Sequence, residues 1–278
     1  MVIKRIRILI KRYLLFNRPE LYSFWISIHE KLFPKNSVEL YEDLYLELRE
    51  KINNLDDTVQ AGVFLGMQLP VEAVCSQKCP KIIGSYEYEL QPVLKKLIDN
   101  NYDTIINIGC AEGYYAIGFS LQCRKAVIIA VDPLSESRDK LFIVAGKNGV
   151  SERIKYKKWV SANRLNKWIC NKTLIIMDCE GSEIGLLNPL SCKKLFKADI
   201  LVEIHNFSAH PEIGSIINKR FSKTHNLTEI PQSKRNPSNF SVLNHFTNSK
   251  GKELMDEKRP NSIYWLYMEN RSRYDHPL

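Results

Sequence analysis

The sequence lacks any apolar run long enough to cross a bilayer: its longest charge-free stretch, Thr58 to Val71, is too short and too broken. It lacks a secretory signal as well, because Lys11 and Arg12 interrupt the basic, apolar N-terminus and no small-residue cleavage site follows. A cytoplasmic protein is therefore the expectation. The cysteines form no even set. There are seven, and Cys110, Cys123 and Cys179 fall inside or beside expected core elements, which favours reduced thiols over a disulfide framework. Cys75 and Cys79 have no second Cys/His pair nearby, whereas a tetrahedral structural zinc takes four ligands. No internal repeat or low-complexity segment is present.

The 278 residues suffice for one large domain, or for a core domain with an N-terminal addition. The formal charge of +9 is unevenly spread, since Lys4, Arg5, Arg7, Lys11, Arg12 and Arg18 all precede the first acid, Glu20. On a helical wheel Val2, Ile3, Ile6, Leu9, Ile10, Tyr13 and Phe16 share one broad face and Lys4, Arg7, Lys11 and Arg18 the other. Residues 1–18 thus fit a helix lying on an anionic membrane surface, or one packed on its own domain with a solvated basic face. The first 79 residues read as a mainly helical extension, including a segment from Ser37 to about Asn53. Residues 80–278 read as a second unit.

In that second unit apolar, β-rich runs alternate with helical stretches. The runs are Thr104–Gly109, Ala126–Val131, Ile154–Val160, Thr173–Asp178, Asp199–His205, His225–Ile230 and Ser262–Met268. The clearest helical segments are Glu112–Gln122, Glu136–Asn148 and Glu212–Lys223. Such alternation predicts an α/β fold with a mostly parallel sheet covered on both faces. The stretch from Pro231 to Pro260 shows no clear helix and suits a long insertion between two antiparallel edge strands.

The most informative segment is Thr104-Ile-Ile-Asn-Ile-Gly-Cys-Ala-Glu-Gly-Tyr-Tyr115. A strand ends at Gly109, a tight turn follows, and a helix is expected from about Glu112. Ligands of open α/β sheets bind at such strand ends. The spacing Gly109-x-x-x-Gly113 is not the G-x-G-x-x-G of dinucleotide sites. Glu112 at the helix start would repel a pyrophosphate but welcome a cation. S-adenosylmethionine, with its sulfonium and ammonium groups, meets that requirement. Asp132, 23 residues after Gly109 at the end of the second run, is placed to accept hydrogen bonds from ribose hydroxyls.

These residues resemble motif I and the ribose-binding acid of class I S-adenosylmethionine-dependent methyltransferases. Asp178-Cys-Glu-Gly-Ser-Glu183 and Glu203-Ile-His205 resemble the D-x-E-G-x-E and E-x-H of the FkbM-like branch. Gly84-Ser-Tyr-Glu-Tyr-Glu-Leu90 is similar to the lead-in helix such enzymes lay over the cofactor. The resemblance covers roughly residues 80–270. It implies a Rossmann-like sheet of seven strands in the order 3-2-1-4-5-7-6, with strand seven antiparallel, which matches the run count. It implies cofactor contacts from Glu87, Asn107, Gly109, Cys110, Ala111, Glu112, Gly113, Asp132, Pro133 and Ser161. Ser161 stands where an acid often meets the adenine amino group, with Asn163 or a backbone group as alternatives.

Methyl transfer from a sulfonium needs an aligned nucleophile and, for a hydroxyl, a base. Asp178, Glu180, Glu203 and His205, at the carboxyl ends of adjacent strands, are the catalytic candidates. His205 or Asp178 would be the base. The same carboxylates and imidazole could instead hold Mg2+ or Mn2+. His210, His225 and His245 read as structural or surface residues. Through its FkbM-like resemblance the chain is expected to O-methylate a small-molecule or glycan acceptor. A nucleic-acid methyltransferase, with phosphate contacts from Lys155, Lys157, Lys158, Lys234 and Arg235, is the second reading. A non-catalytic scaffold is the third, and a nicotinamide oxidoreductase the fourth.

Overall fold

The computed structural model describes residues 37–52, 55–74, 76–179, 181–205, 212–260 and 262–271, with residues 37–43 described by their backbone only. The expected membrane-facing helix of residues 1–18, together with Cys75, Glu180 and His210, lies outside the described residues.

The strands are β1 (Thr104–Ile108), β2 (Val127–Val131), β3 (Ile154–Lys157), β4 (Thr173–Met177), β5 (Ala198–His205), β6 (His225–Ile230) and β7 (Ile263–Asn270). They form one sheet in the order β3-β2-β1-β4-β5-β7-β6. Neighbours from β3 to β5 are parallel, and β7 runs antiparallel to both β5 and β6. The topology agrees with the sequence expectation. β1, β2 and β4 are short, rich in isoleucine and valine, and buried at nearly every position, as befits strands covered on both faces.

The helices among the described residues are α1 (Ser37–Lys51), α2 (Lys78–Ile83), α3 (Gln91–Asp99), α4 (Tyr114–Gln122), α5 (Ser135–Lys147), α6 (Ala162–Trp168), α7 (Glu183–Leu186), α8 (Ile213–Phe221) and α9 (Asn248–Leu254). Two apolar layers sandwich the sheet. One joins Leu48 of α1, Ile82 of α2, Leu94 of α3, Phe119 of α4 and Leu141 of α5 to Ile105 and Leu201. The other joins Leu165 of α6, Leu186 of α7 and Phe221 of α8 to Ile106, Ile175 and Val202. Strand alternation therefore turns Glu203 and His205, like Leu201, toward the first layer.

Four local expectations are corrected. Residues 55–77 hold no helix among those described; they run as turns and a single bridge between Thr58 and Gln68, with Gly62 and Gly66 at positive φ and Pro70 as breakers. The lead-in around Glu87 is a bend rather than a helix. Gly84 ends α2 in the left-handed region, and Glu87 (φ 46°) turns the chain again before a single 3-10 turn at Tyr88–Leu90. The helix after β1 begins at Tyr114, because Ala111 (φ 47°) and Gly113 (φ 99°) prolong the turn. The β6–β7 connection does contain a helix, α9.

Candidate active site

The turn after β1 is fixed by two close approaches. Gly109 has φ 77°, and a Cβ there would lie 1.6 Å from the carbonyl oxygen of Asp178, where β4 ends. Only glycine permits that contact between neighbouring strands. Asp132, just past β2, then holds the turn from the other side. Its Oδ2 accepts from the Ala111 N–H at 3.0 Å and its Oδ1 from the Leu134 N–H at 3.0 Å. Burial raises the Asp132 pKa, while these two donors pull it back. Asp132, Cys110 and Asn107 are buried; Pro133 is half-buried. Asn107 Oδ1 is a buried oxygen with no hydrogen-bond partner, two residues before Gly109.

Other predicted cofactor residues have protein partners. Glu112 is fully buried, with one oxygen paired to Lys81 Nζ and the other accepting the Val74 N–H at 2.8 Å. Glu87 accepts from the Tyr115 hydroxyl, and its backbone N–H donates to Glu257 Oε1 at 2.8 Å. Burial raises its pKa well above the ordinary carboxylate value, against the pull of Arg259. Ser161 caps α6, its Oγ accepting the Arg164 N–H at 3.4 Å.

At the ends of β4 and β5 three of the four predicted catalytic residues converge. His205 Nδ1 lies 2.8 Å from Glu183 Oε1, and Nε2 lies 2.9 Å from Glu203 Oε2 and 3.5 Å from Asp178 Oδ1. A neutral imidazole carries one N–H, so carboxylates against both nitrogens call for the doubly protonated ring. Burial alone would depress the His205 pKa, but the hydrogen bonds to Glu183 and Glu203 outweigh it and raise it well above 6.5. Burial likewise pushes Glu203 upward, yet His205 and Arg259 hold it at about 2. The Asp178 side chain is 33% exposed, against 2% for His205.

Glu183 and Arg259 complete this cluster with no role assigned from the sequence, and Arg235 joins it in place of the phosphate contacts expected of it. Glu183 appeared only as the last letter of a motif, yet its carboxylate is fully buried against His205. Arg259 pairs with Glu203 and lies 3.0 Å from Glu89, 3.6 Å from Glu257 and 3.8 Å from Glu87. Arg235 lies 2.5 Å from Glu257 and 3.1 Å from Glu89. Burial raises Glu257 to about 7 against the attraction of Arg235. The polar stretch that supplies both arginines carries no periodicity that marks it as part of a site.

The oxygen and nitrogen atoms of Asp178, Glu203 and His205 lie within 4.8 Å of one another, a spacing that could close on a divalent ion. The donor set as arranged does not suit one. Both His205 nitrogens are directed at carboxylates, and Glu203 is shared between the imidazolium and a guanidinium. A metal there would have to displace the proton shared between His205 and Glu203 and break the Glu203–Arg259 pair.

The strand order, the glycine turn and the acid after β2 now stand together. The fold is that of the Rossmann-like, class I methyltransferases. No protein-family profile matches the sequence, and no curated protein does. Among solved structures the chain is similar to an rRNA methylase from Streptococcus thermophilus (9% identity, 66% of this chain and 96% of that one, TM-score 0.45). It is similar too to a precorrin-6Y C5,15-methyltransferase from Geobacter metallireducens (9% identity, 65% and 89%, TM-score 0.41). A third is methyltransferase FkbM from Methylobacillus flagellatus (13% identity, 60% and 44%, TM-score 0.41). Likenesses this distant carry nothing about substrate, and the fold assignment rests on the strand order itself. Among the described residues no helix is long and apolar enough to cross a membrane.

Proposed function

We propose that the protein is an S-adenosylmethionine-dependent methyltransferase that methylates a hydroxyl of a carbohydrate, glycolipid or glycosylated metabolite. The observation that carries the cofactor is the cradle between β1 and β2. There Gly109 passes too close to Asp178 for any side chain, Asp132 fixes Ala111, and Asn107 Oδ1 is left without a protein partner. S-adenosylmethionine, when bound, supplies a methyl group already activated by the sulfonium. Asp132 would take the ribose hydroxyls, with Gly109, Cys110, Ala111 and Gly113 supplying backbone contact. The carboxyl-rich surroundings, Glu87 among them, suit the cofactor's positive charges.

The remaining chemistry falls to the chain's own groups. Asp178 is the exposed member of the cluster, so it is the group placed to orient an acceptor hydroxyl and take its proton. His205, whose pKa the carboxylates on both its nitrogens raise, is less suited to be that base; its part is to keep Glu203 ionised and to position Asp178.

Charge favours a hydroxyl-bearing acceptor over a phosphodiester. Among the described residues Asp178, Glu87, Glu89, Glu183, Glu203 and Glu257 pair with Arg235, Arg259 and His205 as cations. A nucleic-acid backbone entering there would meet net negative charge. Arg235, expected to serve phosphate contacts in the nucleic-acid reading, is tied to Glu89 and Glu257 instead.

Calorimetric titration tests the cofactor directly. S-adenosylmethionine and S-adenosylhomocysteine should bind, NAD should not, and Asp132→Ala should abolish the signal. A folded protein that binds neither S-adenosyl compound would refute the proposal and leave the scaffold reading. With an acceptor in hand, Asp178→Asn should keep cofactor affinity and lose about 100-fold or more in turnover.

A further inference from the structure

The outer edge of the sheet carries a face separate from the acidic cluster. From Ile154 to Met177 the sequence contains no carboxylate at all. Over the same span Lys155, Lys157, Lys158, Arg164, Lys167 and Lys172 are all exposed. Among the described residues β3 pairs with β2 alone, so its other side is unpaired, with Lys155 and Lys157 on the strand and Lys158 just past it.

Apolar groups that the core does not use lie across the same edge, on the sheet face toward which Tyr156 turns while Lys155 and Lys157 turn to the other. On α5, Phe142 is 48% and Ile143 52% exposed. The Phe142 ring sits 6.1 Å from that of Tyr156 on β3, which places the apolar pair against the open edge. Trp159, just past β3, is 39% exposed, with the Arg164 guanidinium stacked 3.9 Å over its ring.

We propose that this edge, built from α5, β3 and the start of α6, is a docking surface for an anionic lipid bilayer. Lysines near such a surface are drawn to its headgroups. Half-exposed Phe and Ile side chains add the apolar insertion that peripheral membrane contacts require. A tryptophan at the rim suits the polar–apolar boundary. Charge alone would serve a nucleic acid equally well, but an exposed isoleucine offers nothing to a phosphate backbone or to base stacking. The bilayer accounts for both halves of the face. The edge also adjoins the cofactor cradle, because the Tyr156 hydroxyl donates to the Asp132 carbonyl at 2.5 Å. Docking would hold the mouth of the site near the lipid surface. The inference does not depend on the methyltransferase reading, and its test does not require activity.

The test is co-sedimentation of the full chain with vesicles of phosphatidylcholine alone, or of phosphatidylcholine mixed with phosphatidylglycerol. Binding should require the anionic lipid and weaken with added salt. Lys155→Gln/Lys157→Gln/Lys158→Gln should weaken it about 100-fold, at roughly fivefold for each lysine charge removed. Phe142→Ser/Ile143→Ser should weaken it by at least about 10-fold, from the lost apolar burial. Both variants should keep the circular dichroism spectrum of the parent. Three results would overturn the proposal: no sedimentation with anionic vesicles, unchanged sedimentation of both variants, or complete loss on deleting residues 1–18 alone. So would single-stranded RNA binding that depends on the lysines but not on Phe142 and Ile143, in a protein that ignores vesicles.

Discussion

Replacing Glu183 with glutamine removes a buried charge while keeping the side chain's length and volume. In the native protein Glu183 Oε1 accepts from His205 Nδ1 at 2.8 Å and from the Gly181 N–H at 3.0 Å. A hydrogen bond to a charged partner contributes about 1.5–3 kcal/mol and a neutral one about 0.5–1.5 kcal/mol. The difference, roughly 1–1.5 kcal/mol, corresponds to about one pKa unit. The His205 pKa should therefore fall by about one unit in Glu183→Gln, yet stay above 6.5 because Glu203 and Asp178 still face Nε2. The pH dependence of stability follows. A group whose folded pKa exceeds its unfolded value contributes fully below the unfolded value, and its contribution is lost as pH rises through the folded one. For His205 the loss begins near 6.5 and continues upward to the raised native value. In the variant it should end about one unit sooner. Ring-proton NMR across that range, with His205→Gln to assign the signal, reads the pKa. Urea unfolding at each pH reads the stability. His225 is the internal reference, since burial lowers its pKa and its Nε2 hydrogen-bonds the Ala198 carbonyl at 2.9 Å. Should His205 titrate at or below 6.5 in the native protein, or stay put in Glu183→Gln, the imidazolium assignment is wrong.

Two further substitutions test the framework around the site. Gly109→Ala should cost more than about 4 kcal/mol in urea unfolding, because left-handed strain adds to a backbone clash that has no room to relax. Gly149→Ala, also at positive φ (65°) but with nothing within 4 Å of the added Cβ, should cost only about 1–2 kcal/mol; equal losses would deny the close approach at Asp178. Arg259→Met should destabilise by about 3–5 kcal/mol at neutral pH, since it strands the carboxylates around it. Those carboxylates would then have raised pKa values, so the deficit should shrink as pH falls through the carboxylate range. A loss independent of pH would show that packing, not charge, is what Arg259 supplies.

What was legible in the sequence follows from which forces act locally. The central strands are legible because covered strands need consecutive β-branched and apolar residues, and Ile128–Val131 or Leu174–Met177 has little other use. The Gly109 turn and Asp132 were visible for a similar reason, since one backbone approach and one carboxylate at a strand end are fixed by short-range geometry. Helix α9 escaped notice because it has no apolar stripe. It is held by the Thr247 cap on the Lys250 N–H at 3.3 Å and by Gly251, which packs so tightly that a Cβ would lie 2.7 Å from Pro237. The sequence places Glu112 at the glycine turn, but its partner Lys81, 31 residues earlier, gives no sign there of the pairing.

The buried ion network gives this arrangement a further consequence. Glu87 and Glu89 belong to the bend before α3, Glu203 to β5, and Glu257 and Arg259 to the segment before β7; Arg259 faces all four carboxyls. Segments far apart in sequence thus share one electrostatic balance, in which too few cations face too many buried carboxyls. Burial raises the pKa of Glu87 well above the ordinary carboxylate value and that of Glu257 to about 7, so protons can offset part of the deficit. A cationic ligand entering beside Glu87 would compete with those protons, because its charge stabilises the ionised carboxylates they neutralise. Binding of a cationic ligand and proton release are therefore linked through residues on both sides of the site. The β6–β7 connection, a sequence stretch with no motif of its own, contributes as much to that linkage as the glycine turn does to shape.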